Sequence, residues 1–278
     1  MGTPIDCVKL ADEIIGRVKA DVDDLPDDAT IPCLAIITVG NDEASRIYVN
    51  NKLKVATEIG FNVEHYHFSD KADFEDVANR IIHLNNNPVV HGIMVQLPLP
   101  DEFEGIEQLI YPAKDVDGLT ENSHWIPCTV KAILSVLDNL ETPEGEHYSL
   151  AGKHVVIANR SNLIGRPLVN HLLDRDMTVS VMHSRTRNPY SIMMEADIII
   201  SATGKPQEWL GSMLNPSRPP ILIDVGCFRD ATRGGYVGDF ADDAQDLSYM
   251  YTPVPNGIGK VTVACLMDNL MMCYNNVM

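Results

Sequence analysis

Lys52 lies where a charged side chain is unexpected. On a helical wheel the segment 47–59 divides into an apolar and a polar face, and Lys52 falls in the middle of the apolar face. Tyr48 comes one turn earlier, so the two side chains are predicted to be neighbours. Because burial disfavours the charged form of a lysine, such a residue is suited to accept a proton. The alternative is a structural lysine that extends its ammonium from the core to water.

Two polar positions after the next predicted strand are further candidates. Gln96 ends the apolar segment 91–96, and ligands of open parallel sheets bind outside the carboxyl ends of strands. Its amide could orient a substrate carbonyl or a water, or could only cap a loop. Asp115 and Asp117 are alternate carboxylates in one turn. They could hold a cation or accept hydrogen bonds from the N–H groups of a ligand, or form a plain Asx-turn.

The segment 159–167 has the position of a pyrophosphate site, between a predicted strand and a predicted helix. The usual G-x-G-x-x-G motif is absent, and Gly165 is its one remaining glycine. Pro167 suits the first turn of a helix. The hydrogen-bond donors of this turn are Arg160, Ser161 and Arg166.

The end of the following strand predicts the type of nucleotide. NAD sites place an acidic residue there for the ribose hydroxyls, whereas this chain has Ser184 and Arg185. A serine and an arginine suit the additional phosphate of NADP. A solvated basic loop is the alternative interpretation.

Strands and helices alternate along the chain, which predicts an α/β fold with parallel sheets. A polar segment rich in turn formers, 141–147, separates two such alternations. In the first, helices are predicted at 7–22, 43–59 and 72–85, and strands at 32–40, 61–68 and 91–96. In the second, a helix is predicted at 166–175, and strands at 154–159, 178–182, 196–202 and 220–225.

Length and charge limit the classes of function. A chain of 278 residues is long enough for two domains, and its net charge of −18 should repel nucleic acids and anionic membranes. No apolar run approaches the 18 or so residues of a membrane span, and the N-terminus lacks a signal-peptide pattern, so a cytoplasmic location is expected. His65 and His67 share a face of a predicted strand, but two ligands are a weak metal signal, and no metal site is predicted.

The sequence resembles the bifunctional methylenetetrahydrofolate dehydrogenase/methenyltetrahydrofolate cyclohydrolase (FolD) family over nearly its whole length. The resemblance rests on eight segments in the family's order, which makes it more specific than any single motif. They are Ser45–Lys54, His91–Pro100, Lys114–Gly118, Ile126–Thr129, Arg160–Ser161 with Gly165 and Pro167, Ala202–Gly204, Ile223–Gly226 and Thr252–Pro255.

The resemblance implies an architecture. An N-terminal α/β catalytic domain, 1–122, would be completed by a C-terminal helix at about 261–278. A Rossmann-like NAD(P)-binding domain with a parallel sheet would occupy 123–260. Family members are typically homodimers that pack through the cofactor domains, and their substrates are one-carbon derivatives of tetrahydrofolate.

The resemblance also implies residue roles. Lys52 would be the general base or proton shuttle of the cyclohydrolase step, with Tyr48 and Gln96 positioning folate, lysine and water. Asp117 would hold the pterin ring, and the loop that carries Pro255 and Gly257 would lie over the folate. The residues implied to hold NADP are Asn159, Arg160, Ser161, Gly165, Ser184, Arg185, Thr203, Gly204 and Gly226.

The chain departs from the family pattern at three places. Val130 replaces a proline, Asn159 replaces a glycine, and the loop 255–262 differs from the usual Pro-Gly-Gly-Val-Gly-Pro-Met-Thr. Asparagine tolerates positive φ better than most residues, so Asn159 and Asn256 are expected to keep the backbone shape. The alternatives to a bifunctional enzyme are a dehydrogenase of the same lineage with weak cyclohydrolase activity, a silent folate or nucleotide sensor, and a shikimate-type dehydrogenase of similar fold.

Overall fold

The computed structural model describes residues 1–232 and 234–277, which form two compact units. The helices are α1 (Cys7–Asp23), α2 (Glu43–Ile59), α3 (Phe74–Asn85), α4 (Cys128–Asp138), α5 (Gly165–Leu173), α6 (Pro189–Met193), α7 (Asp242–Leu247) and α8 (Ile258–Val277). The strands are β1 (Thr3–Pro4), β2 (Cys33–Val39), β3 (Asn62–Phe68), β4 (Gly92–Val95), β5 (His154–Ala158), β6 (Thr178–Met182), β7 (Ile198–Ser201), β8 (Ile221–Asp224), β9 (Phe228–Asp230), β10 (Gly235–Val237) and β11 (Met250–Tyr251).

The three-stranded unit comprises Asp12–Cys128 and the chain from Val263 onward. Its parallel sheet has the order β3-β2-β4, and β2 is buried along its whole length because helices cover both faces. Alternate residues of β2 point to opposite sides. One side packs with residues of α2 and α8, through Leu34 and Ile36 of β2, and the other packs with α3, through Ala35 and Ile37.

Helix α2 has clear signals at both ends. The carboxylate of Asp42 accepts a hydrogen bond from the backbone N–H of Ser45 at 2.6 Å, which caps the first turn. Gly60 ends the helix with a φ of 107°, a left-handed conformation that glycine adopts without strain. The predicted helix 43–59 is therefore confirmed at both ends.

The six-stranded unit comprises Met1–Ala11 and Thr129–Thr262. Its sheet has the order β1-β11-β8-β7-β5-β6 with all strands parallel, and β9 and β10 form a separate antiparallel hairpin. The order in which strands follow one another across the sheet reverses at β5, because β6 lies on one side of it and β7 on the other. The carboxyl end of β5 is thus the switch point at which such sheets bind ligands.

The structure confirms the predicted α/β fold class, with some differences in detail. Strand β4 ends at Val95, so Gln96 is the first residue beyond it. Residues 1–11 were assigned to the first domain on the sequence, yet β1 pairs with β11 in the six-stranded unit. Within the described residues, no helix is both long and apolar enough to cross a membrane.

Candidate active site

Lys52 and Gln96 form a direct contact in the three-stranded unit. Lys52 is only 6% exposed, and its Nζ donates to Oε1 of Gln96 at 3.0 Å. A longer contact of 3.8 Å joins the same ammonium to Sδ of Met94. The amide of Gln96 is itself oriented, because its Nε2 donates to the carbonyl of Leu97. Lys52 therefore does not reach out to water, as the structural alternative required, but ends on a neutral acceptor.

Tyr48 lies on α2 one turn before Lys52 and remains 37% exposed. A phenol ring that is partly open to solvent and adjacent to a buried lysine can contact a flat ligand on one face. The structure thus places Tyr48, Lys52 and Gln96 in the same part of the three-stranded unit, as the sequence predicted.

The two carboxylates of the acidic turn differ in their hydrogen bonds. Asp115 is fully buried and accepts from the backbone N–H groups of Gly118, Leu119 and Thr120 and from the Thr120 hydroxyl, over 2.7 to 3.2 Å. The Asx-turn interpretation is therefore correct for Asp115. Asp117 is half-buried, and no hydrogen bond or ion pair from the described part of the chain reaches its carboxylate. Asp117 thus retains its full capacity to accept hydrogen bonds from a ligand.

Helix α8 supports this turn from the far end of the chain. Asn269 is 1% exposed, and its Nδ2 donates to the carbonyl of Val116 at 2.9 Å. The main chain of Asp117 is fixed as well, because its carbonyl accepts from the N–H of Cys128 at 3.1 Å. The Asp117 carboxylate is therefore presented from a rigid backbone.

A cavity of about 240 Å³ adjoins Gln96 in the same unit. Its walls include Thr38, His65 and His67 from the sheet and Arg46 from α2. The two histidines both hydrogen-bond to the Thr38 hydroxyl, at 3.0 and 3.1 Å. The strand pattern predicts that these histidines share a face but does not predict that either belongs to the site. The described residues contain no group of three or more histidine, cysteine, aspartate or glutamate side chains that could hold a metal ion.

The six-stranded unit has its own pocket, of about 510 Å³, at the carboxyl ends of β5 and β6. Four residues predicted for the nucleotide line it: Asn159, Arg160, Ser184 and Thr203. Five others do not: Ser161, Gly165, Arg185, Gly204 and Gly226. Lining residues that sequence reasoning missed include His183, Thr186, Tyr190, Lys205 and Trp209.

Asn159 shapes the turn after β5 by a different means from the one expected. The residue is not among those with positive φ, so the expected backbone role is wrong. Its Oδ1 instead accepts from the N–H groups of Ser161, at 2.7 Å, and Gly165, at 3.1 Å, while its Nδ2 donates to Ala202. A side chain at Gly165 would lie 2.2 Å from the Asn159 carbonyl oxygen, so only glycine fits.

Two buried aspartates hold the loops on the other side of the pocket. Asp239 accepts from the backbone of Thr203 at 2.8 Å and of Lys205 at 3.2 Å. Asp224 accepts from the backbone of Gly226 at 2.9 Å and from Asp239 and Phe240 at 3.0 Å. Burial raises the pKa of Asp224 to about 7, against the opposing effect of these N–H donors.

Thr203 provides the clearest indication of a ligand in this unit. Its Oγ1 is buried and has no hydrogen-bond partner among the described residues. Buried hydroxyls are nearly always hydrogen-bonded, so this one is suited to a group that enters the pocket. With Arg160 and Ser184 as further donors, the pocket fits a ligand that carries phosphates.

Pro255 and Gly257 lie in the loop before α8, within the six-stranded unit. Asn256 between them has a φ of 72°, as the sequence predicted for this position. A side chain at Gly257 would lie 2.1 Å from the carbonyl oxygen of Pro253, so this loop also requires glycine.

Comparison with family profiles places both units in one family. Residues 5–117 match the tetrahydrofolate dehydrogenase/cyclohydrolase catalytic domain, and residues 127–278 match the NAD(P)-binding domain of the same family. The bifunctional protein FolD of Nitrosospira multiformis is 36% identical over 96% of this chain and 94% of its own. That of Malacoplasma penetrans is also 36% identical, over 96% and 95%.

Solved structures give the same result. The bifunctional FolD methylenetetrahydrofolate dehydrogenase/cyclohydrolase of Campylobacter jejuni has a TM-score of 0.91 at 32% identity, with all of both chains covered. The Trypanosoma brucei enzyme, complexed with NADP and an inhibitor, has a TM-score of 0.87 at 29% identity over 99% and 98%. Shikimate 5-dehydrogenase from Thermus thermophilus reaches only 0.52 at 12% identity, covering 88% of this chain and all of its own, a similarity of fold alone.

Proposed function

The chain belongs to the tetrahydrofolate dehydrogenase/cyclohydrolase family, and from this premise we propose which of its residues carry the two reactions. It is a bifunctional enzyme of one-carbon metabolism. It oxidises 5,10-methylenetetrahydrofolate to 5,10-methenyltetrahydrofolate with NADP, and it hydrolyses that product to 10-formyltetrahydrofolate.

Lys52 is the general base of the hydrolysis. The single observation that carries this assignment is the 3.0 Å contact of its buried Nζ with the Gln96 amide oxygen. A neutral acceptor holds the lysine in place without the permanent counter-charge of a carboxylate, which would stabilise the ammonium. The cationic methenyl group of the substrate further favours a neutral amine beside it. Gln96 positions Lys52 and the attacking water.

Asp117 binds the pterin ring, and Tyr48 packs against the folate. The pterin presents N–H groups, and an ionised carboxylate can only accept hydrogen bonds. Asp117 is the one carboxylate of its turn whose oxygens are not already used by the backbone. We assign the loop of Pro255 and Gly257 to the folate side by family resemblance.

The six-stranded unit binds the dinucleotide. When bound there, NADP accepts a hydride from the methylene carbon of the substrate. The turn of Asn159, Arg160, Ser161 and Gly165 holds the pyrophosphate at the N-terminus of α5. Ser184 and Arg185 contact the additional phosphate of NADP. The hydroxyl of Thr203 bonds the carboxamide, with Gly204 and Gly226 lining the same side.

We also propose the roles of the two domains, the oligomeric state and the location of the protein. We assign catalysis to 1–122 with the C-terminal helix from about 261, and cofactor binding to 123–260, with residues 1–11 contributing structurally to the latter unit. We assign a homodimer through the cofactor domains, testable by light scattering of the full chain. We propose that the protein acts in the cytoplasm, where both NADP and reduced folates are present.

The test of the residue assignment is an absorbance progress curve with methylenetetrahydrofolate and NADP, repeated with NAD. We expect NADP reduction, followed by loss of the methenyl absorbance. Lys52→Met should lower the rate of the second phase about 10²-fold or more, as expected for the loss of a general base. Lys54→Met is the matched control, because Lys54 lies two residues away, on the exposed face, in an ion pair with Glu58 at 3.7 Å. Hydrolysis retained in Lys52→Met would overturn the base assignment.

The presence of Tyr48, Lys52, Gln96 and Asp117 together argues against two alternative functions, a dehydrogenase with weak cyclohydrolase activity and a catalytically silent sensor. A dehydrogenase with poor cyclohydrolase activity would not need the Lys52–Gln96 contact. A sensor would bind folate without any reduction of NADP or NAD in the same progress curve.

A further inference from the structure

Hydrolysis of the methenyl group releases a proton that Lys52 cannot pass directly to bulk water. Water forms a C–O bond with the methenyl carbon, and the proton from its broken O–H bond goes to the neutral amine of Lys52. Ring opening then breaks the bond from carbon to N5, and the carbinol proton moves to N5 as the formyl C=O forms. One proton per turnover therefore remains on Lys52, which is only 6% exposed.

A polar row crosses the sheet from the lysine towards solvent. Thr38 of β2 pairs with His67 of β3, and Gln96 continues the register of β4 beside Thr38, since its N–H donates to the carbonyl of Ile37 at 2.9 Å. Side chains at one register position of adjacent parallel strands point to the same face, about 4.8 Å apart. The row therefore runs His67, Thr38, Gln96, and Gln96 contacts Lys52.

The hydroxyl of Thr38 bridges the two histidine rings. Nε2 of His65 and Nδ1 of His67 lie 3.0 and 3.1 Å from the Thr38 Oγ1. A hydroxyl has one proton, so with both rings neutral it donates to one ring nitrogen and accepts from the N–H of the other. One histidine therefore accepts a hydrogen bond from the Thr38 hydroxyl, and the ring nitrogens that do not contact Thr38 can release a proton to solvent. Both histidines are exposed, whereas Thr38 is 9% exposed.

The cavity described above joins Gln96, the hydrogen-bond partner of Lys52, to the two histidines. Gln96, Thr38, His65 and His67 all line its 240 Å³, which is room for on the order of eight waters at about 30 Å³ each. We propose that Thr38, His65 and His67 form a proton-release relay, which carries the proton of the cyclohydrolase step from Lys52 through cavity water to solvent. The inference rests on the proposed role of Lys52 in hydrolysis. These three residues act through Lys52 and do not contact the substrate.

The charges around the relay agree with this role. Although His65 is exposed as a whole, desolvation of the part of its ring that lines the cavity and the neighbouring His67 both lower its pKa, so the ring is available as an acceptor near neutral pH. The charged residues that face the cavity from α2 are Asp42, which caps its helix, and Arg46. On the opposite face of β3, Glu64 bonds the Tyr66 hydroxyl and Arg80 stacks on the Tyr66 ring.

The test compares the two activities in weakly buffered solution near pH 7.5, with the uncatalysed hydrolysis subtracted. Thr38→Val, His65→Gln and His67→Gln are the variants, and His83→Gln on α3, whose side chain is exposed, is the matched control. We expect cyclohydrolase turnover to fall on the order of tenfold in the three variants, less than the roughly 10²–10⁴-fold typical of a lost general base, because the relay acts only through Lys52. NADP reduction should stay within twofold of wild type, and added imidazole should restore hydrolysis.

A structural role would give a different pattern. Equal loss of both activities without rescue by imidazole would overturn the relay, and so would unchanged hydrolysis in the double variant His65→Gln/His67→Gln. Thermal melting of each variant, with NADP reduction as the internal control, excludes misfolding as the cause of a selective loss. Failure of the proposed function is distinguishable, because it appears as retained hydrolysis in Lys52→Met whatever the histidine variants do.

Discussion

Asp115 and Asp117 lie on the same turn, two residues apart, and use their carboxylates in opposite ways. Both oxygens of Asp115 accept hydrogen bonds from the backbone and hydroxyl of the following residues, whereas no described residue hydrogen-bonds the carboxylate of Asp117. Asp115 stabilises the turn, and the turn positions the carboxylate of Asp117. The two substitutions to asparagine should therefore separate stability from substrate binding.

For this pair, Asp115→Asn should lower the free energy of unfolding by about 2–3 kcal/mol, because an amide nitrogen would face buried N–H donors. Asp117→Asn should leave stability within about 0.5 kcal/mol and raise the KM for methylenetetrahydrofolate at least tenfold, or about 1.4 kcal/mol. Urea unfolding and initial-rate kinetics measure the two effects. A similar loss of stability in both variants would contradict the division.

Asn159 is predicted to stabilise the nucleotide turn through its side chain. Replacing it with glycine removes three hydrogen bonds, to Ser161, Gly165 and Ala202. We expect a loss of about 1–3 kcal/mol in stability and a higher KM for NADP. Asn162→Gly, in the exposed part of the same turn, is the control and should change neither quantity strongly. An unchanged KM in Asn159→Gly would show that the turn keeps its shape without these bonds.

Cofactor preference is predicted to depend on Arg185. The residue is exposed at the end of β6, one position after Ser184 of the pocket wall. Arg185→Ala should raise the KM for NADP about tenfold, as expected for a lost charge-assisted contact, and leave the KM for NAD unchanged. Arg187→Ala, also exposed and two residues further, is the matched control. An equal effect on both nucleotides would argue against a contact with the additional phosphate.

The buried Asp224 predicts a pH dependence of stability. Burial raises its pKa from 3.8 to about 7, so the folded protein binds the proton more tightly than the unfolded chain. The stability that this group contributes is full below the unfolded value and is lost as the pH rises through about 7. Urea unfolding at several values between pH 5 and 8 should show this decline in wild type. The decline should be smaller in Asp224→Asn, and equal slopes would contradict it.

Sequence reasoning found those site residues whose placement follows from periodicity. Lys52 was visible on the wheel of α2, and Gln96 as the polar residue that follows β4. Asp239 was not predicted, because its importance comes from backbone groups distant along the chain, those of Thr203 and Lys205. A two-residue strand such as β1 has no periodic signal at all.

Asn159 illustrates a second kind of error. Residue type indicated that asparagine could replace glycine, but the mechanism assumed was a backbone conformation rather than a set of hydrogen bonds. Chemistry at a position can thus be predicted more readily than its geometry, because several geometries satisfy the same residue type.

Helix α8 also has a consequence for synthesis of the chain. Its residues from Val263 to Tyr274 are part of the core that buries Leu34, Ile36 and Met94. A growing polypeptide on the ribosome therefore completes the core around this sheet only after α8 has emerged. Until then only part of the apolar face of β2 is covered, by residues of α2. A chain that lacks α8 should therefore expose apolar side chains of β2 and β4 and should be prone to aggregation.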